Sequence, residues 1–267
     1  MATSFYVTLP SDSSVSLYPD NVTTNYRVQL AHPIELTGDW ESALVEIQYP
    51  HTWLNVPEGR NALVFYLIDD DESESGKEYE FAKVPVGYYK DLPHLIAVLN
   101  VEVRKKYFEA FTQHDLFTHD AMKKRVSMTL PPLAVHFAPA KVRLMGPLAN
   151  QLGWKTDNVI VGNTSEAPFP PDINVGLHSL YVYSDVVQPR MVGGVKVPLL
   201  RIVKARGHDG EIIDHPIATP HYMPVARNRF QTIEVDIRDE IGRPVSFEQG
   251  RAVLTLHFRQ RRSSYFT

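Results

Sequence analysis

The chain is predicted to fold as an all-β protein, a single jelly-roll β-sandwich with an inserted α+β subdomain, and three observations lead there. Residues 1–68 and 177–259 read as short alternating apolar and polar runs broken by Pro, Gly, Asn and Asp, the pattern of half-buried strands. The one strong helical period lies between them, at Leu92 to Phe108. Each flank supplies about four candidate strands, and about eight short antiparallel strands in two sheets is the count of a jelly roll. Residues 1–71 and 171–267 are therefore expected to be the two halves of one β domain, with 72–170 as the insertion.

The first strand is expected at Ser4 to Leu9, ended by Pro10 and a Ser/Asp-rich turn. Val28 and Leu30 alternate with Arg27 and Gln29 in the second, Ala43 to Gln48 forms the third, and Ala62 to Ile68 the fourth. Pro33, Pro50 and Pro57 are expected where these runs end, since a sheet interior does not tolerate a residue lacking an N–H donor. In the middle, Glu78 to Val84 reads as a strand. Asp91 is a helix N-cap with Pro93 in the first turn, and Leu92, Leu95, Ile96, Leu99, Val103 and Tyr107 repeat at three- and four-residue spacing. Val126 to Leu130 and Ala140 to Met145 are further strands, and Pro147 to Gly153 is a short helix closed by its glycine. The last third returns to strands: Leu177 to Tyr183, Val197 to Arg206, Ile233 to Ile237, a turn at Asp239 to Gly242, and Ala252 to Arg259 with Leu254, Leu256 and Phe258 on one face. An ending in a strand implies that the C-terminus is tied into the sheet.

Composition narrows the function classes. The 43% hydrophobic content is enough for a sizeable core, and the absence of cysteine excludes disulfides, thiolate metal sites and a cysteine nucleophile. No apolar run is long enough to cross a bilayer, and the first residues lack a signal-peptide pattern, so no membrane association and no secretion are expected. Two sequons, at Asn21 and Asn163, then read as turn sequence. A formal charge of −4 argues against a nucleic-acid-coating surface, although basic residues gather at Arg104 to Lys106, Lys123 to Arg125 and Arg259, Arg261 and Arg262, opposite in sign to Asp69 to Glu72.

The search for chemistry is negative. Phosphate-binding glycine loops, a G-x-S-x-G elbow and an H-E-x-x-H helix are all missing, so no enzyme, no cofactor and no metal are expected. Gln113-His114-Asp115 and Thr118-His119-Asp120 repeat a His-Asp pair, but at a five-residue spacing that does not place both on one helical face; they read as a polar connection. Gly207-His208-Asp209-Gly210 reads as a hairpin turn, and Asp69 to Glu72 as a solvated acidic tip lacking the ligand alternation of a calcium loop. Tyr49-Pro50-His51-Thr52-Trp53 is either an exposed recognition loop or aromatic packing at a strand end.

The order and spacing of several segments carry a family resemblance. Phe5 to Ser11, Gly38-Asp39-Trp40-Glu41, Glu46 to Trp53, Gly87-Tyr88-Tyr89, Leu152-Gly153-Trp154, Tyr181 to Asp185, Val197 to Arg201 and Leu256 to Arg259 together resemble the minor capsid (penton) proteins of Polinton or Maverick virus-like transposons and related viruses. The resemblance covers essentially the whole chain. It implies a single jelly roll bearing an insertion, assembled as a homopentamer at the fivefold vertices of an icosahedral capsid beside a double jelly-roll major capsid protein. It implies location in the virion, assembly inside the host cell, at most peripheral nucleic-acid contact, and no catalytic residues. The expected interface residues are Tyr49, His51 and Trp53, with Tyr49 and Trp53 as the apolar anchors, and Arg259, Arg261 and Arg262, which face the major protein or packaged DNA. The alternative reading is a carbohydrate- or receptor-binding β-sandwich, with the Tyr49 to Trp53 loop and the insertion as its recognition surface.

Overall fold

The computed structural model describes residues 4–56, 58, 62–67, 78–106, 115–130, 139–144, 146–154, 159–161, 164–174 and 177–261. The first flank forms β1 (Ser4–Pro10), β2 (Asn25–Glu35) and β3 (Trp40–Pro50). The middle follows with β4 (Ala62–Leu67), β5 (Glu78–Lys83), α1 (Leu92–Lys106), β6 (Phe117–Asp120), β7 (Arg125–Thr129), β8 (Pro139–Leu144), α2 (Gly146–Gln151), β9 (Val159–Val161) and β10 (Thr164–Glu166). The last third holds β11 (Ser179–Ser184), β12 (Arg190–Val192), β13 (Val195–Val197), β14 (Leu199–Lys204), β15 (Ile212–Pro216), β16 (Met223–Pro224), β17 (Arg229–Arg238) and β18 (Val253–Gln260). No helix among the described residues is long and apolar enough to cross a membrane.

The chain divides into two units, Met1–Trp53 with Gly176–Thr267, and Leu54–Val175. In the first, eight strands pair as one rolled hairpin. β1 pairs β18, β2 pairs β17, β3 pairs β15 and β11 pairs β14, all antiparallel, so the first strand meets the eighth and the fourth meets the fifth. The β3–β18 and β11–β17 pairings then complete two sheets, β1-β18-β3-β15 and β14-β11-β17-β2. That nested pairing in two sheets is the jelly roll. The second unit leaves the chain between β3 and β11, the third and fourth strands of the roll.

The alternation seen in sequence becomes burial. Leu254, Leu256 and Phe258 of β18 are fully buried, against Leu9 of β1, Tyr26 of β2, Ile47 of β3, Leu180 and Val182 of β11, and Val235 and Ile237 of β17. Phe258 stacks between Phe5, at 5.0 Å, and Phe230, at 5.9 Å. Each such side chain contributes about 1.5–3 kcal/mol by leaving water. The phenol of Tyr26 is buried with them and donates to the Leu9 carbonyl at 3.1 Å, and desolvation drives its pKa far above the usual range.

Three assignments differ from the sequence expectation. Ala62–Leu67 is a strand, but it pairs with β5 and β8 in the second unit, so the division falls after Trp53 and not near residue 71. The missing jelly-roll strand is β15, an edge strand whose residues alternate exposed and half-buried, with Ile212 76% exposed. An edge strand buries one face only partly, so its period is faint. Pro33 also lies inside β2 and not at its end, which is allowed because β2 is the outermost strand of its sheet.

The second unit packs α1 with the sheet β5-β4-β8-β9 and the sheet β10-β7-β6. Asp91 caps α1 by accepting the His94 N–H at 2.9 Å, and Leu95, Ile96, Leu99 and Val103 bury one face among Phe117, Val126, Val142 and Leu148. Asn100, also buried, donates to the Phe117 carbonyl at 2.8 Å and accepts the Phe117 N–H at 3.0 Å, giving a backbone group between helix and strand the partner it would otherwise lack. After α2 the chain turns at Gly153, with φ +92°, where a Cβ would lie 2.2 Å from the Phe169 carbonyl oxygen. Only glycine fits there.

Candidate functional site

Tyr49 and Pro50 are the last ladder residues of β3, and His51 to Trp53 carry the chain on beyond them. Loops from both sides clamp it. The His51 N–H donates to Glu211 O at 2.7 Å and its carbonyl accepts from Gly210 at 2.8 Å, while the Thr52 hydroxyl donates to Gln249 O at 2.8 Å and the Thr52 carbonyl accepts from Glu248 at 3.1 Å. Gly250, at φ +91°, permits this approach, since a Cβ there would meet Pro50 Cβ at 2.8 Å. The Trp53 ring lies 3.9 Å from His51, 6.2 Å from Tyr49 and 5.9 Å from Phe247.

These side chains face inward. Tyr49 is 0%, Trp53 3% and His51 7% exposed, and the Tyr49 hydroxyl accepts the Arg206 N–H at 3.0 Å. Of the two readings of this run, aromatic packing at a strand end is the one the burial fits: Tyr49, His51 and Trp53 fill the chain's own core and present almost no surface. The physical reason is the alternation of β3, which carries Ile47 and Tyr49 to the core face and drives the next aromatic after them.

The expected arginines separate. Arg259 lies on the outer face of β18, its Nε donating to Glu41 at 2.6 Å and its guanidinium 3.4 Å above the Tyr222 ring. The Tyr222 hydroxyl meets His257 Nδ1 at 2.7 Å, and Tyr6, 67% exposed, stacks on His257 at 4.5 Å. Arg259 is thus one end of an outward row of two tyrosines and a histidine that its position in the sequence did not reveal. Arg261 leaves the sheet with its N–H donating to Asp39 O at 2.8 Å, and its side chain is exposed. Arg262 lies outside the described residues.

Other sequence candidates resolve without chemistry. His119 and Asp120 stand on β6, not in a loop, and Asp120 accepts the Met122 and Lys123 N–H groups of the following turn, which hold its carboxyl below the usual range. Asp115 pairs with Arg104, while Gln113, His114 and Asp69 to Glu72 lie outside the described residues. Lys123 faces Glu166 at 3.4 Å. Gly207 to Gly210 joins β14 to β15, strands of different sheets, so it is a crossover and not a hairpin. Among the described residues no group of three or more His, Cys, Asp or Glu is placed to hold a metal ion.

Three histidines of the jelly roll are held below their usual value of 6.5: His51 chiefly by burial, His215 by burial and then by Arg206 and Arg201, and His257 by burial and then by Arg259. Neutral in the folded state, each takes up a proton more readily when unfolded. Their contribution to stability is therefore complete above about pH 6.5 and is lost as pH falls below it through the depressed folded values. The melting temperature is expected to drop between about pH 7.5 and about pH 5.5. A flat or rising profile over that interval would contradict the assignment.

No protein-family model matches the chain, and no curated relative matches it. Among solved structures it is similar to the mavirus penton protein, at 9% sequence identity and a TM-score of 0.52, with 97% of this chain and 100% of that chain aligned. The likeness is one of fold. The aligned span takes in both flanks and the inserted segment. A chain of the Sputnik virophage structure also aligns, over 97% of this chain and 98% of its own, at 11% identity and a TM-score of 0.45.

Proposed function

We infer that the chain is a structural penton protein, a minor capsid component that closes as a homopentamer at the fivefold vertices of an icosahedral capsid beside a double jelly-roll major capsid protein. The observation that carries the reading is the end-to-end alignment with the mavirus penton protein of a jelly roll interrupted between its third and fourth strands. A rigid β-sandwich suits this role because one heterologous contact, repeated around an axis, closes a ring. With Tyr49 and Trp53 buried, the contact to a neighbour is proposed for the outer row of Tyr6, His257, Tyr222 and Arg259. Tyrosine and arginine are the residues that dominate contacts of this kind. The reading places the protein in the virion, with no catalytic role, no cofactor and no membrane. Nucleic acid is at most a peripheral contact, because Arg259 is already committed to Glu41 and the chain carries a net charge of −4.

Electron microscopy of the purified protein, alone and mixed with the major capsid protein, tests it. Five-membered rings or fivefold vertex density are expected, and Tyr6→Ala should weaken them while leaving the melting temperature within a few degrees. A strictly monomeric protein that stays out of assembled particles would sink the proposal.

A further inference from the structure

At the end of the jelly roll where β18 leaves the sheet, a cleft of about 510 Å³ opens among the β2–β3, β11–β14 and β15–β17 connections and the exit of β18. That volume lies within the range of small-ligand sites, roughly 300–1,000 Å³. Its walls are Gly38, Asp39 and Trp40 on one side, Gln188, Pro224, Val225, Ala226 and Asn228 on another, and Arg261 at the mouth. The walls are pinned by backbone hydrogen bonds: Arg261 to Asp39 O at 2.8 Å, Val225 to Trp40 O at 2.9 Å, Gln188 to Pro224 O at 2.9 Å, Ala226 to Val186 O at 2.8 Å and Leu36 to Asn228 O at 2.8 Å. The Trp40 ring is fixed too, its indole N–H donating to Thr37 O at 3.1 Å and one side packing on Phe5.

What this rigid frame presents is specific in kind. The Asp39 carboxylate, the Asn228 amide and the Arg261 guanidinium have no partner among the described residues, and Gln188, whose Nε2 donates to Val225 O at 3.4 Å, adds a fourth planar group with its amide oxygen as acceptor. Charge does not favour a polyanion, because one carboxylate offsets one guanidinium. A metal is excluded by the single carboxylate. A wholly apolar ligand would leave the polar groups of Asp39, Asn228 and Arg261 unpaired. A ligand bearing adjacent hydroxyls on an apolar ring matches both features, its hydroxyls bridging the planar groups and its C–H face meeting Trp40. We propose that this cleft is a saccharide-binding site, with Asp39, Gln188, Asn228 and Arg261 holding hydroxyls and Trp40 supporting the sugar ring. For the carbohydrate reading this moves the site away from the run Tyr49 to Trp53, which is buried, and to the opposite end of β3.

The test is saturation-transfer NMR on the full chain with lactose, N-acetylglucosamine and mannose as probes, each at tens of millimolar. At least one is expected to bind at about millimolar affinity, and Asn228→Ala and Arg261→Ala are each expected to weaken it at least about tenfold. Both residues are exposed, so melting should stay within a few degrees, and Tyr6→Ala on the outer sheet face should bind as the parent does. No transfer to any of the three sugars overturns the proposal, as does binding that survives both substitutions. If Asn228→Ala and Arg261→Ala instead dissolve rings and leave sugar signals unchanged, the cleft is a contact between copies and the saccharide assignment is wrong. Failure of the capsid reading alone, with monomers that still bind sugar, leaves the proposal standing.

Discussion

Trp53→Ala is expected to lower the stability of the jelly roll by about 3–5 kcal/mol, the cost of truncating a buried tryptophan to alanine in a packed core. The ring it removes is 3% exposed and fills the space between Tyr49, His51 and Phe247, while the backbone around it is held by loops on both sides and has little freedom to collapse into the cavity. A loss of that size moves the melting temperature by on the order of 10 °C for a domain of this length. The ring assembly proposed above would then weaken as a consequence of unfolding, in step with it. Thermal denaturation and ring counting on the same sample separate the two effects. Loss of rings with a melting temperature shifted by less than about 2 °C would mean that Trp53 acts at a contact between copies and not in the core.

How much of this was legible beforehand depended on how one-sided each element is. β18 showed plainly because Leu254, Leu256 and Phe258 alternate against Val253, Thr255 and His257 in a strand with partners on both sides. α1 showed because its buried face recurs at Leu95, Ile96, Leu99 and Val103 and its cap is a single aspartate. β15 did not, since an edge strand with Ile212 turned to solvent lacks the contrast on which periodicity relies. β4 was visible as a strand but not as a member of the insertion, because a strand's period says which face is apolar and never which partners lie beside it. The Tyr49 to Trp53 run was ambiguous for a related reason: aromatic residues at a strand end fit a core or an interface equally well, and only burial decides. The cleft proposed to take a saccharide left no trace in sequence. Asp39, Gln188 and Asn228 come from three separate connections and Arg261 from the exit of β18, each an ordinary polar residue until the roll brings them together.

The same misplaced strand sets up the second large effect. A chain in which residues 54–175 are replaced by a short Gly/Ser linker is expected to keep a cooperative, β-type melting transition, whereas one lacking only 72–170 is expected to aggregate. Each unit buries its own apolar cluster: Leu95, Leu99, Phe117, Val126 and Val142 in the second, Leu254, Phe258, Ile237 and Ile47 in the first. All eight ladder partners of the jelly roll lie outside 54–175, so the longer deletion removes no strand from either of its sheets. The shorter deletion retains Ala62–Leu67 but removes both strands that pair with it, β5 and β8. That leaves the apolar strand Ala-Leu-Val-Phe-Tyr-Leu with two unpaired edges, a template for association between chains. Light scattering together with circular dichroism melting distinguishes the outcomes. If the longer deletion collapses while the shorter one folds, the jelly roll depends on residues 54–71, and the division of the chain after Trp53 does not describe its folding units.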